Sequence, residues 1–182
     1  MQTIDISTIY ACQRGDQEAF RQIYEAYHKK IYRLIYRYCN DPEETLDLTQ
    51  EVFIRVYKGI SNFRSECSFE TWIYQIAINT VTSAMRKSKP YESLNHLQTD
   101  KSEQADVYLE IQELEQHIER SISILPESLR MAFILTAVEH LPYAEVEKIL
   151  GISIEAVRMR VSRARQLLRE SLQPYINEGK NQ

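Results

Sequence analysis

Between Ile154 and Arg169 the chain sets five arginines, Arg158, Arg160, Arg163, Arg165 and Arg169, against a single acid, Glu155. The protein as a whole carries a formal net charge of −4, so this segment is a local cationic surface on an acidic molecule. Such a surface suits a polyanion, the alternative being the solvated face of an ordinary helix. At about 100° per residue, Val157, Val161, Ala164 and Leu168 fall on one side of a helix, while Glu155, Met159, Ser162, Arg163 and Gln166 point away. Arg158, Arg165 and Arg169 flank the outward face on one side and Arg160 on the other. Upstream, Tyr143 to Leu150, then Gly151, then Ile152 to Arg158 have the form of a helix-turn-helix, with Gly151 where the first helix must end in a left-handed residue. This is the layout of a recognition helix: central residues reach base edges in a major groove and flanking arginines grip phosphates.

Other chemistry is poorly supplied. Cys12, Cys39 and Cys67 show no C-x-x-C spacing, and His28, His96, His117 and His140 form no metal-like pattern with them. Buried free thiols are expected, with no metal and no cofactor. There is no Gly-rich phosphate loop and no nucleophile-base pair, so an enzyme with catalytic residues is the least favoured class.

Helices must position these groups, and the composition agrees. Four Gly and five Pro in 182 residues are fewer than half of what average usage gives, which disfavours turn-rich β architectures. Ala19, Phe20, Ile23, Tyr24, Tyr27, Ile31, Leu34, Ile35 and Tyr38 recur at steps of three and four, predicting a long helix that starts after Gly15-Asp16. Asp41-Pro42-Glu43-Glu44 predicts a second helix running to Gly59. After a loop from Ile60 to Cys67, Ser68 caps a third, with Phe69, Trp72, Ile73, Ile76 and Ala77 as its apolar stripe down to Met85. The stretch from Ser88 to Asp106 is polar and reads as a linker. Periodicity resumes at Val107, Ile111, Leu114, Ile118, Ile122 and Leu125, followed by helices from Pro126 to about His140, from Pro142 to Leu150 and from Ile154 to Leu172. The expectation is an all-α chain of two small helical domains, residues 1–88 and 107–182, joined by a flexible linker at 89–106, with the helix-turn-helix in the second. The longest charge-free stretch, Thr71 to Met85, is too short and too polar to span a bilayer, and the N-terminus lacks the pattern of a secretion signal. No membrane insertion and a cytoplasmic location are expected.

Four segments in order, Asp47 to Phe53, Phe69 to Asn79, Leu125-Pro126-Glu127, and the helix-turn-helix ending Val157 to Arg165, resemble the sigma factors of the extracytoplasmic-function group. The resemblance spans nearly the whole chain. It implies a bacterial RNA polymerase subunit, an alternative sigma factor answering stress or envelope signals, with no catalytic centre of its own. The first domain is expected to dock on the coiled coil of the polymerase beta-prime subunit and capture the melted −10 strand, and the second to read the −35 element as duplex. Asp47, Gln50 and Glu51 match the docking motif and, at i, i+3 and i+4, share one helix face. The −10 function falls on the 60–67 loop and the helix after it, where Phe63, Arg64, Asn79, Arg86 and Lys87 could supply a stacking face, polar contacts and a cationic track. Trp72 shares the stripe of Ile76 and reads as core. For the −35 element the candidates are Glu155, Arg158, Met159, Arg160, Ser162, Arg163, Arg165 and Arg169. Promoter DNA, polymerase core and, as is common in the family, an anti-sigma factor are the implied partners.

The chain departs from the family pattern at Leu46, Ser83, Ala84, Pro142 and Glu147. Glu147 must reach solvent or a partner, because an isolated buried carboxylate is costly. The nineteen residues from Ser88 to Asp106 reach at most about 65 Å, comparable with some 17–20 base pairs of duplex at roughly 3.4 Å each. A stand-alone helix-turn-helix regulator is the competing reading, separated by whether polymerase core is required. A helical scaffold without DNA contact is a third.

Overall fold

Local capping chemistry sets most element boundaries in the computed structural model, which describes residues 4–87 and 117–178. The linker at 89–106 and the periodic positions Val107, Ile111 and Leu114 lie outside the described residues. The elements are α1 (Ile6–Gln13), α2 (Gln17–Cys39), α3 (Pro42–Gly59), a 3-10 turn (Ile60–Asn62), α4 (Phe69–Lys87), α5 (helical over 117–123), α6 (Glu127–Phe133), a π turn (Ile134–Val138), α7 (Tyr143–Leu150) and α8 (Ile154–Glu178). No strand occurs among the described residues.

The expected helix starts are present. Asp16 accepts from the N–H groups of Glu18 and Ala19 at 2.9 and 3.2 Å, opening α2. Asp41 accepts from Glu44 N–H at 2.9 Å with Pro42 at the first helical position of α3. Ser68 Oγ accepts from Thr71 N–H at 3.0 Å to open α4. Gly151 takes the left-handed conformation, φ 63°, that closes α7. Each cap satisfies backbone groups that a helix end leaves orphaned.

Three features differ from the sequence reading. The short helix α1, capped by Asp5, was not anticipated, because eight residues bury just Ile9 and Cys12 and give no visible periodicity. The helix expected to run to His140 winds into a π turn after Phe133 and ends at Glu139 and His140, the latter left-handed at φ 55°. The last helix runs past Leu172 to Glu178.

Ile23, Ile31 and Ile35 of α2 interlock with Val52 and Val56 of α3 and Ile73 of α4, all fully buried. In the second unit Ile134, Leu135, Val146 and Val157 do the same. Each such side chain contributes about 1.5–3 kcal/mol by leaving water. The two units meet where α4 lies against α7.

Candidate nucleic-acid and polymerase interfaces

The face of α8 that holds it to its unit is the expected one: Val157, Val161, Ala164 and Leu168 are buried. Glu155, Arg158, Met159, Ser162, Arg163, Arg165 and Arg169 are exposed. Met159, 71% exposed, offers an apolar tip of the kind that meets a thymine methyl group. Among the described residues none of the five arginines forms an ion pair with an acid. Arg163 instead donates to Gln166 Oε1 at 2.9 Å, and Gln166 donates to Glu170 at 2.9 Å. Arg158, Arg165 and Arg169 line a shallow groove of about 260 Å³ with Ser162 and Tyr143, a phenol the sequence reading passed over. Arg160 is set apart from this group: it is half-buried and turns to a different cleft, against α4.

The start of α8 is fastened from within the motif. Ser153 Oγ accepts from Ala156 N–H at 3.3 Å, and Glu147 Oε1 accepts from Ile154 N–H at 3.1 Å. The carboxylate that departs from the family pattern is therefore paired, at the positive end of a helix.

On α3, Asp47 and Gln50 are exposed, and Glu51 holds Arg55 at 2.8 Å one turn on. Ile54, seven residues after Asp47, continues the same face at 48% exposure. Leu46 and Tyr57 stand exposed on the adjoining flank of α3, and Tyr24 of α2 is exposed as well. Tyr57 meets Phe20, and Tyr24 meets Phe53, edge to face at 5.0 and 4.7 Å. A cluster of exposed apolar side chains rimmed by polar ones is the composition of a protein-docking surface. Ile54 and Tyr57 escaped the sequence reading, which noted Leu46 as a departure from the family pattern and no more, because apolar residues inside an amphipathic helix read as core.

In the loop before α4 the groups divide. Arg64 is exposed, whereas Phe63 is 8% exposed and packs on Phe69 at 5.4 Å and Trp72 at 5.2 Å. The Phe63 ring therefore supports the loop from inside and presents no stacking face. Trp72 belongs to the same cluster and lies so close to Gly59 that a Cβ there would meet it at 3.3 Å. The Gln13 amide donates to the carbonyl oxygens of Ile60 and Phe63, at 3.0 and 2.8 Å, and fixes the loop to α1. Asn79 and Arg86 are exposed on α4 and line a cleft of about 620 Å³; the side chain of Lys87 lies outside the described residues.

Residues 23–90 match the family model of sigma-70 region 2, and residues 115–168 that of sigma-70 region 4. The chain is 33% identical to the RNA polymerase sigma-H factor of Pseudomonas aeruginosa, over 96% of its own length and 97% of that protein. It belongs to the ECF sigma factors. The ECF RNA polymerase sigma-E factor of Escherichia coli is 32% identical over the same shares, 96% and 97%. Two solved structures have the same fold. CnrH, in complex with the cytosolic domain of CnrY, superposes with a TM-score of 0.72 at 20% identity, over 94% of this chain and 98% of that one. The sigma factor RpoE of Bartonella quintana, in complex with the anti-sigma factor NepR, gives 0.68 at 21%, over 85% and 96%. This sigma factor directs transcription initiation and has no catalytic role of its own; the stand-alone regulator is not favoured. No described helix is long and apolar enough to cross a membrane.

Proposed function

We infer that this sigma factor divides its work between a first domain at 1–88, which docks on polymerase core and captures the −10 strand, and a second at 107–182, which reads the −35 duplex. The observation that carries the reading is the outward face of α8, where arginines free of acidic partners stand over a buried aliphatic seam. Arg163, on that face, and Arg158, at its edge near the start of the helix, suit base edges, and Arg165 and Arg169, farther along the flank, suit phosphates. Asp47, Gln50 and Ile54 form the docking face for the beta-prime coiled coil, with Glu51 beside them. Arg64, Asn79 and Arg86 present polar and cationic groups to the melted strand. An anti-sigma partner is supported by the Bartonella quintana sigma factor of the same fold, which was solved with one, and a cytoplasmic location follows from work on promoter DNA.

Transcription in vitro tests the assignment: core polymerase with this protein, on genomic fragments, is expected to start at defined sites that Arg163→Ala and Asp47→Ala each reduce. Start sites identical with and without the protein would remove the basis for it.

A further inference from the structure

The cations of α2 are treated unequally by the fold. Near the start of the helix Arg21 lies between Glu18 and Glu25, at 2.6 and 3.0 Å. From Ala26 to Asn40 the sequence then places four cations, Lys29, Lys30, Arg33 and Arg37, and no acid. Two of these reach acids on other elements: Lys30 pairs with Glu70 of α4 at 2.9 Å, and Arg37 with Glu139 at 3.2 Å. Lys29 and Arg33 are exposed, and among the described residues neither forms an ion pair with an acid. The helix dipole does not account for them. Both lie more than one turn before Cys39, where α2 ends, and the field of a helix end fades within its last turn.

Two aromatic side chains share that face. Tyr32 and Tyr36 are half-buried and lie ring against ring, with centroids 6.3 Å apart and planes 5° from parallel. Lys29, Tyr32, Arg33 and Tyr36 follow one another at steps of three and four, so they are neighbours on the side of α2 turned away from buried Ile23, Ile31 and Leu34. This surface is separate from the one assigned to the −10 strand. Glu70, the α4 residue that reaches Lys30, is nine residues before Asn79, which at about 100° per residue puts the two on opposite sides of α4. Unpaired cations interleaved with aromatic rings are the composition of a single-strand track, where the cations follow the phosphates and the rings meet the flat faces of bases. A duplex hides those faces in its stack and shows its base edges instead, so the tyrosines favour a strand.

We propose that the outward face of α2 is a further contact for single-stranded DNA, in which Lys29 and Arg33 hold two phosphates of one strand and Tyr32 and Tyr36 offer a stacking ledge. Transcription initiation exposes unpaired promoter DNA, so a strand is at hand for such a face. The contact is indifferent to sequence, because every strand carries phosphates and every base has a flat face. It adds affinity without adding preference, and it does not depend on which residues of α4 read the −10 element.

Binding of the full chain to two labelled probes, an oligo-thymidine strand and a duplex of mixed sequence, tests it by anisotropy at several salt concentrations. Lys29→Gln with Arg33→Gln is expected to reduce the magnitude of the log-log salt slope on the strand by about 1.4, at about 0.7 per phosphate contact, and to leave the duplex slope unchanged. Tyr32→Ser with Tyr36→Ser is expected to weaken strand binding by about fivefold or more, whereas Tyr32→Phe with Tyr36→Phe keeps both rings and stays near wild type. Circular dichroism checks that helicity is retained, as the four side chains lie outside the core. No strand binding by wild type at low salt, or equal strand slopes for wild type and the glutamine variant, overturns the proposal. Strand affinity untouched by the serine variant overturns the stacking ledge. Equal losses on strand and duplex overturn the single-strand assignment and make this a duplex contact. An unchanged strand slope with weaker retention by core polymerase overturns it in favour of a polymerase-docking face. Asn79→Ala keeps the −10 reading separate: if −10 preference in transcription survives that change, the assignment of α4 falls, while the strand slopes still decide the role of α2.

Discussion

The carboxylate of Glu147 in α7 accepts a hydrogen bond from the backbone N–H of Ile154, the first residue of α8, at 3.1 Å. It links the two helices of the motif across the Gly151 turn and puts a negative charge at the positive end of the recognition helix. Glu147→Ala is expected to lower the stability of region 4 by about 1 kcal/mol and to weaken −35 binding, whereas Glu147→Gln, which keeps the acceptor, recovers most of both. Thermal melting and duplex affinity check this; a melting curve unchanged by alanine would show the bond to be idle.

The arginines of α8 should fail in two ways. Arg158→Ala or Arg163→Ala removes a candidate bidentate contact with guanine, worth about 1–3 kcal/mol of discrimination, and relaxes preference at one −35 base. Arg165→Ala and Arg169→Ala weaken all sequences alike and reduce the log-log salt slope by about 0.9 each. Affinities for a panel of single-base −35 substitutions at several salt concentrations distinguish them, and the reverse pattern would mean that the rotation of α8 on DNA is misassigned.

If the proposed docking runs through α3, Ile54 counts as much as the polar groups beside it. Ile54→Ala and Asp47→Ala are each expected to weaken polymerase core binding by about tenfold, without changing helicity, because both side chains are exposed and neither supports the core of the domain. Pull-down with core polymerase measures it. Equal retention of wild type and both variants rejects this face.

Burial favours the neutral forms of Tyr27 and Cys39. Tyr27 is pushed from 10.0 up to about 12 by burial, helped by Glu70, and Cys39 from 9.0 up to about 12 by burial with Glu44 nearby. Folding holds these protons more tightly than the unfolded chain does, so their contribution is complete below about pH 9 and is lost as pH rises towards about 12. The urea midpoint should therefore fall over that window, and Tyr27→Phe should lessen the part above pH 10.0. A midpoint flat to pH 12 contradicts the assignment.

Helix starts were legible because a cap is local: Asp16, Asp41 and Ser68 each bond an N–H two or three residues away. The outward face of α8 was legible for the same reason, since helical geometry relates its residues directly. What depends on distant partners was hidden. Phe63, an aromatic residue in a loop, looks available to a base until Phe69 and Trp72 close over it. Arg160 sits among exposed arginines in sequence and faces α4 in space. Glu139 finds Tyr74 65 residues away and Arg37 102 residues away, pairings that no window of sequence contains. The π turn that aims it has no compositional mark.

Gln13 belongs to α1, which lies before residue 23, where the match to region 2 begins. Its amide nevertheless fastens both ends of the turn that leads into the loop before α4, the loop proposed to capture the −10 strand. In this chain the structural unit around the loop is therefore longer than the residues that match region 2. A chimera grafted at residue 23 would inherit the loop of one parent and the anchor of another, and its promoter preference would belong to neither unless the anchoring amide travelled with the graft.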